Sequence, residues 1–228
     1  MPASFVWQRL IEPQLHLQQT GVSVLAVDGR VWAGQAHIRY QQLEFIADWD
    51  ILLSGLMTAA IPIDLTVQSH AGFAELSARL GLSESRIELK SADIDLQPLT
   101  PLFKRQRIEL SGQMRVKDLV FDIVEQRVRS ADGGFSWSGG EIAYPAAGSV
   151  HKREMPAFLG KIDSTGDGVI RMGIRDNQAD FDLIEGTLQQ DGTALITVKR
   201  RLLDLADEVW PRNSSEQDVV FKVKKVIY

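Results

Sequence analysis

Leu43-Glu-Phe45-Ile-Ala47-Asp-Trp49 and Ile61-Pro-Ile63-Asp-Leu65-Thr-Val67 each place an apolar residue at every second position. Successive side chains of a strand point to opposite faces, so this spacing gives each segment one apolar and one polar face. The same alternation recurs upstream in Val22-x-Val24 and downstream in Ile87-x-Leu89, Ile94-x-Leu96, Ile108-x-Leu110 and Met114-x-Val116. It continues through Phe135-x-Trp137, Ile142-x-Tyr144, Ile170-x-Met172-x-Ile174, Phe181-x-Leu183, Ile196-x-Val198 and Phe221-x-Val223. At least about ten short strands are expected.

Asp28-Gly29, Asp132-Gly133, Asp167-Gly168 and Asp191-Gly192 are Asp-Gly pairs, a dipeptide that supplies the positive φ angles of tight hairpins. Strands so closely spaced favour antiparallel neighbours, because parallel pairing needs long crossovers that this chain hardly provides. Helical signals are few. Ser4 to Leu10 predicts a short N-terminal turn, Asp48 to Leu56 one turn, and Leu99 to Phe103, interrupted by Pro101, a bend. The best helix is Arg201 to Trp210, with apolar residues at helical spacing and a stop at Pro211. The fold class expected is all-β: a large, strongly curved, mostly antiparallel sheet, partly rolled into a trough or sandwich, with one or two short helices.

Composition narrows the function. The 228 residues are 44% hydrophobic and 24% charged, ordinary values for a chain that buries a core, and no composition shift marks a linker. Residues 1–228 are therefore read as one β domain. The net charge of −5 points away from nucleic acid. Local basic groups at Lys104-Arg105-x-Arg107, Lys199 to Arg201 and Lys222 to Lys225 read as solvated faces or guarded edges, or else as a membrane or partner patch. With no cysteine, disulfides, thiolate nucleophiles and zinc-thiolate sites are excluded.

Catalytic patterns are missing too. His16, His37, His70 and His151 share no metal-pair spacing. Asp163, Thr165, Asp167 and Gly168 match part of a calcium loop, but Ile174 stands where the bidentate Glu belongs, so a hairpin loop is the better account. Ser136 and Ser138 flank Trp137 without a nucleophile-elbow spacing. No catalytic residue, metal or cofactor is expected. The five tryptophans read as core or interface anchors, with a lipid or partner groove as the alternative.

Gly29-x-x-Trp32-x-Gly34 leads through an alternating strand to Trp49-Asp50 and Leu52-Leu53-x-Gly55, with Pro2-Ala3 ahead of it. Later come Leu99-x-Pro101, Leu110-x-Gly112, Phe135-x-Trp137 and Gly186-x-Leu188. In order and spacing this resembles the general secretion pathway protein N family of bacterial type II secretion. The resemblance implies a periplasmic, non-enzymatic accessory or scaffold protein, held at the inner membrane, that helps export folded proteins across the outer membrane. It implies other secretion components as partners and no catalytic residues. The family's N-terminal transmembrane helix has no counterpart in residues 1–228, and the expectation is that the full-length protein carries it upstream.

Gly29, Trp32, Gly34, Trp49, Gly55 and Trp137 match the family pattern and are expected to be structural. Phe45, Ile63, Met114 and Met172 are the candidate apolar face. The competing reading is a lipid or apolar-ligand carrier with an open hydrophobic trough, since a filled sandwich and a trough produce the same alternation.

Overall fold

The computed structural model of the chain describes residues 2–6, 21–52, 60–146, 148–209 and 214–227. Six strands come first: β1 (Val22–Arg30), β2 (Ala33–Tyr40), β3 (Leu43–Ile51), β4 (Ala60–Ser69), β5 (Gly72–Gly81) and β6 (Glu84–Asp95). β7 (Glu109–Leu110), β8 (Gln113–Val124), β9 (Arg127–Trp137), β10 (Gly140–Ala146), β11 (Ser149–Met155) and β12 (Phe158–Ser164) follow. β13 (Ile170–Asp176), β14 (Ile184–Leu188), β15 (Thr193–Lys199) and β16 (Val219–Val226) complete the set.

Thirteen strands form one antiparallel sheet, ordered β1-β2-β3-β4-β5-β6-β8-β9-β12-β13-β14-β15-β16, that does not close into a barrel. The remaining three form a small sheet, β11-β10-β7. Among the described residues three short helices accompany them: α1 (Ala3–Val6), a 3-10 helix (Gln97–Gln106) and α2 (Arg200–Leu205). None among the described residues is long and apolar enough to cross a membrane.

Neighbours follow chain order except at two insertions. The 3-10 helix and β7 leave between β6 and β8, and the β10–β11 hairpin leaves between β9 and β12. Both depart from one end of the sheet, where the register aligns Ile94, Met114, Trp137, Phe158 and Asp176 in a row across five strands. The insertions fold back over that row. Trp137 and Phe158, with ring centroids 5.5 Å apart, pack there with Leu96, Met155 and Ala206. The buried Trp137 indole keeps its hydrogen bond by donating to the Ser111 carbonyl at 2.8 Å.

An ion pair fastens α2 to the same row. Asp176 is only 3% exposed, and its Oδ2 accepts from Arg201 Nε and Nη2 at 3.0 and 2.8 Å. Its Oδ1 accepts the backbone N–H groups of Gln178 and Ala179. Burial pushes the carboxyl up, but the guanidinium and the two N–H donors outweigh it and hold Asp176 below the usual carboxylate range.

Two of the four Asp-Gly pairs do not turn the chain. Asp167-Gly168 and Asp191-Gly192 lie in the β12–β13 and β14–β15 loops. Gly29 instead pairs with Gly34 inside the first hairpin, with φ +86°, and a Cβ there would sit 2.7 Å from the Ala33 carbonyl. Gly133 lies at the β8–β9 bulge with φ +143°, where a Cβ would meet the Leu119 Cα at 2.6 Å. Both glycines serve backbone approach rather than turn geometry.

The helices also differ from expectation. α2 stops at Leu205 because Asp207 takes φ +51°, with Asp207 N–H bonding Asp204 O and Glu208 N–H bonding Leu203 O, a Schellman termination. Residues 97–106 form a 3-10 helix rather than a bend, and β3 continues through Ile51 where a turn was expected. Removing the Asp176 carboxylate strands a largely buried cation that keeps only Glu216 as a charged partner. Asp176→Ala should therefore cost about 3 kcal/mol in denaturant unfolding, whereas a cost near zero would mean the pair does not hold α2 down.

Candidate functional site

On the inner face of β1 to β4 the alternation predicted from the sequence is met, among the described residues, by no covering element but α1. Register stacks Val27, Ala36, Ala47 and Val67 in one row and Gly34, Trp49 and Leu65 in the next. These rows wall a trough of about 730 Å3 that Ile38, Phe45 and Ile63 also line, together with Ala3 of α1. The lining side chains are apolar apart from the Tyr40 hydroxyl. A trough of this size falls within the roughly 300–1,000 Å3 of small-ligand sites.

The expected signature residues gather near one end of this trough. The Trp49 ring lies over Gly34, where a Cβ would stand 2.6 Å from it, and the indole donates to the Val31 carbonyl at 2.9 Å. Trp32 occupies the β1–β2 turn, with the Arg30 guanidinium 5.8 Å from its ring centre. Gly29, within β1, lets the backbone of the paired strand approach closely just before that turn. Gly55 lies outside the described residues. Trp137 stands apart, in the capped core.

The four candidate apolar-face residues do not form one site. Phe45 and Ile63 line the trough, while Met114 packs against the capped core. Met172 faces Gly186 across β13 and β14, where a Cβ would meet its Cε at 3.2 Å. On the opposite face, a groove of about 700 Å3 runs past Lys161, Arg171, Arg175, Asp182 and Glu185, a mixed-charge surface unlike the trough. Among the described residues no group of three or more His, Cys, Asp or Glu is placed to hold a metal ion.

One polar cluster was not foreseen. His151 Nδ1 lies 2.6 Å from Glu208 Oε1 and its Nε2 3.0 Å from Ser149 Oγ, while the Tyr144 hydroxyl donates to the same Glu208 oxygen at 2.6 Å. Ser, His and Glu in this order share the spacing of a nucleophile triad. The carboxylate, however, is also the acceptor for Tyr144, and the serine stands exposed on an edge strand, lining neither the trough nor the charged groove. What the described contacts make of this constellation is a clasp. It joins the β10–β11 hairpin to the residue just past the α2 terminus, and Arg153 strengthens it by donating to the Ala206 carbonyl at 2.5 Å. Tyr144 and His151 are register partners in one hairpin, which alternation hints at. Glu208 reaches them only through the Schellman turn, a long-range contact with no local signal.

The clasp makes stability depend on pH. Hydrogen bonds from Tyr144 and His151 hold Glu208 below the usual carboxylate value of 4.5. Burial, then the bond to Glu208, pushes Tyr144 up to about 12. A depressed carboxylate contributes above its unfolded value and loses that contribution as pH falls through the folded one; a raised phenol contributes below its unfolded value and loses it as pH rises through about 12. Tyr144→Phe should thus be less stable than the parent by a constant margin from about pH 5 to about pH 9, narrowing toward pH 3. A margin that stays constant below pH 4 in denaturant unfolding would show that Glu208 is not coupled to Tyr144.

A family model described as type II secretion system protein N matches residues 20–208, a span covering the trough, the capped core and the clasp. Comparison with curated proteins and with solved structures gives no match. The match covers most of the chain in a sheet of the expected kind, so this chain belongs to the type II secretion system protein N family and is a component of that secretion machinery.

Proposed function

We propose that the chain is a non-enzymatic scaffold acting on the periplasmic side of the inner membrane, as one β domain whose full-length form is anchored there. Another secretion component docks on its apolar trough. The observation that carries this reading is the uncovered inner face of β1 to β4, about 730 Å3 walled almost wholly by apolar side chains, beside a half of the same sheet that is capped. An apolar face left open on a rigid sheet is a ready surface for a partner's apolar segment. Gly29, Trp32, Gly34 and Trp49 then act by shaping the trough's end.

A second reading has support from the same wall. Its polar groups are so few that an acyl chain would meet an almost wholly apolar wall, which suits a lipid carrier. Photo-crosslinking in cells separates the two. Probes replacing Phe45 and Ile63 in the membrane-anchored form should give adducts with secretion proteins, while one replacing Met114 in the capped core gives none. Lipid adducts at Phe45 and Ile63 would favour the carrier, and no adducts at either would remove the trough from both readings.

A further inference from the structure

We infer that the β16 edge of the large sheet is a second docking surface, which takes an extended acidic strand of a partner by β-augmentation. The inference rests on the scaffold reading but uses a different surface. β16 is the last strand in the order, and among the described residues only β15 pairs with it, on one side. Alternation of bonded pairs along β15 fixes which backbone groups are satisfied. Lys199 N–H bonds Leu183 O and Gln189 N–H bonds Thr193 O, so the odd residues of β15 bond β14. Ile227 N–H bonds Gly192 O at 2.9 Å, so the pairs Ala194–Lys225, Ile196–Val223 and Val198–Phe221 bond across the β15–β16 ladder. The N–H and C=O groups of Lys222, Lys224 and Val226 therefore point away from the sheet, as a template for one more strand.

The side chains define the partner. Lys222, Lys224 and Val226 point to the outer face and Phe221, Val223 and Lys225 to the inner one. Val219 to Val226 carries three lysines and no acid in a chain of net charge −5. None of the three lysines forms a salt bridge among the described residues, whereas Lys199 on the neighbouring strand is bonded to Glu185 and Arg201 to Asp176 and Glu216. Phe221 and Val223 remain 51% and 57% exposed beside Ile196 at 43%, so the apolar inner face continues to the edge. A strand alternating Glu or Asp with Val or Ile would set its carboxylates against Lys222 and Lys224 and its apolar residues beside Phe221 and Val223. A second copy of β16 is disfavoured, because it would bring lysine against lysine. The opposite edge is less open: Pro2 bridges Arg30 on β1.

The test uses the whole chain and a synthetic peptide, Thr-Glu-Val-Glu-Val-Glu-Thr with blocked ends, followed by amide hydrogen exchange. Exchange at Lys222, Lys224 and Val226 should slow by about tenfold or more with peptide, and less so as salt rises. The effect should be absent with a peptide in which lysine replaces glutamate. Lys224→Pro removes an outward N–H that the β15 ladder does not use, so the fold should persist while protection is lost. If that variant does not fold, the double change Lys222→Glu with Lys224→Glu, which should reverse the peptide preference, supplies the same readout. No protection by saturating acidic peptide, or protection at β1 or the trough instead, overturns the inference. Trough crosslinks to secretion proteins with no edge protection would leave the scaffold reading standing without this surface, whereas loss of both would remove both.

Discussion

A sheet of thirteen strands presents more apolar inner face than the other described elements cover. The covering elements are a three-stranded sheet, a 3-10 helix and a six-residue helix. A packed layer needs a partner of comparable area; among the described residues the cover reaches the middle of the sheet and, apart from α1, does not extend over β1 to β4. The imbalance shows in the surface. The chain exposes 14654 Å2, against about 10,400 Å2 for a compact monomer of its mass. Among the described residues, Leu43 and Leu183 are the large side chains withdrawn almost completely from solvent.

Two tryptophans show how the same local device serves both halves. Trp49 and Trp137 each donate the indole N–H to a loop carbonyl, of Val31 and Ser111 respectively. Each also lies against a glycine with no room for a side chain, Gly34 for one and Gly112 for the other. Around Trp137 the insertions close over the ring and the Asp176–Arg201 pair and the Glu208 clasp pin them down. Around Trp49 no described insertion closes in the same way, and the ring forms part of the trough wall. The difference between binding surface and hydrophobic core is set here by long-range contacts, not by the strands themselves.

That division explains what could be read from the residues alone. Period-two spacing located most strands from Val22 to Val223 because it reflects backbone geometry that every strand shares, but it missed β5, β11 and β12, and Phe181-x-Leu183 lies in the loop before β14. The resemblance carried by Gly29, Trp32, Gly34 and Trp49 led to the family that the comparison identifies. Alternation says which residues share a face but not what covers that face, so Phe45, Ile63, Met114 and Met172 looked equivalent while their surroundings differ. Asp28-Gly29 and Asp132-Gly133 read as turns because positive φ is needed in a turn and in a bulge alike. Glu208 gave no signal, since its partners are 57 and 64 residues distant along the chain.

The chain has no cysteine, so single thiols can report directly on which half of the inner face is open. Ile63→Cys and Leu65→Cys would stand in the trough, and Met155→Cys and Phe158→Cys under the cap. Native-state labelling with a maleimide should modify the first two at rates near those of the unfolded chain and the last two only after denaturant is added. Equal protection of all four would contradict the half-covered sheet and, with it, the trough as a working surface.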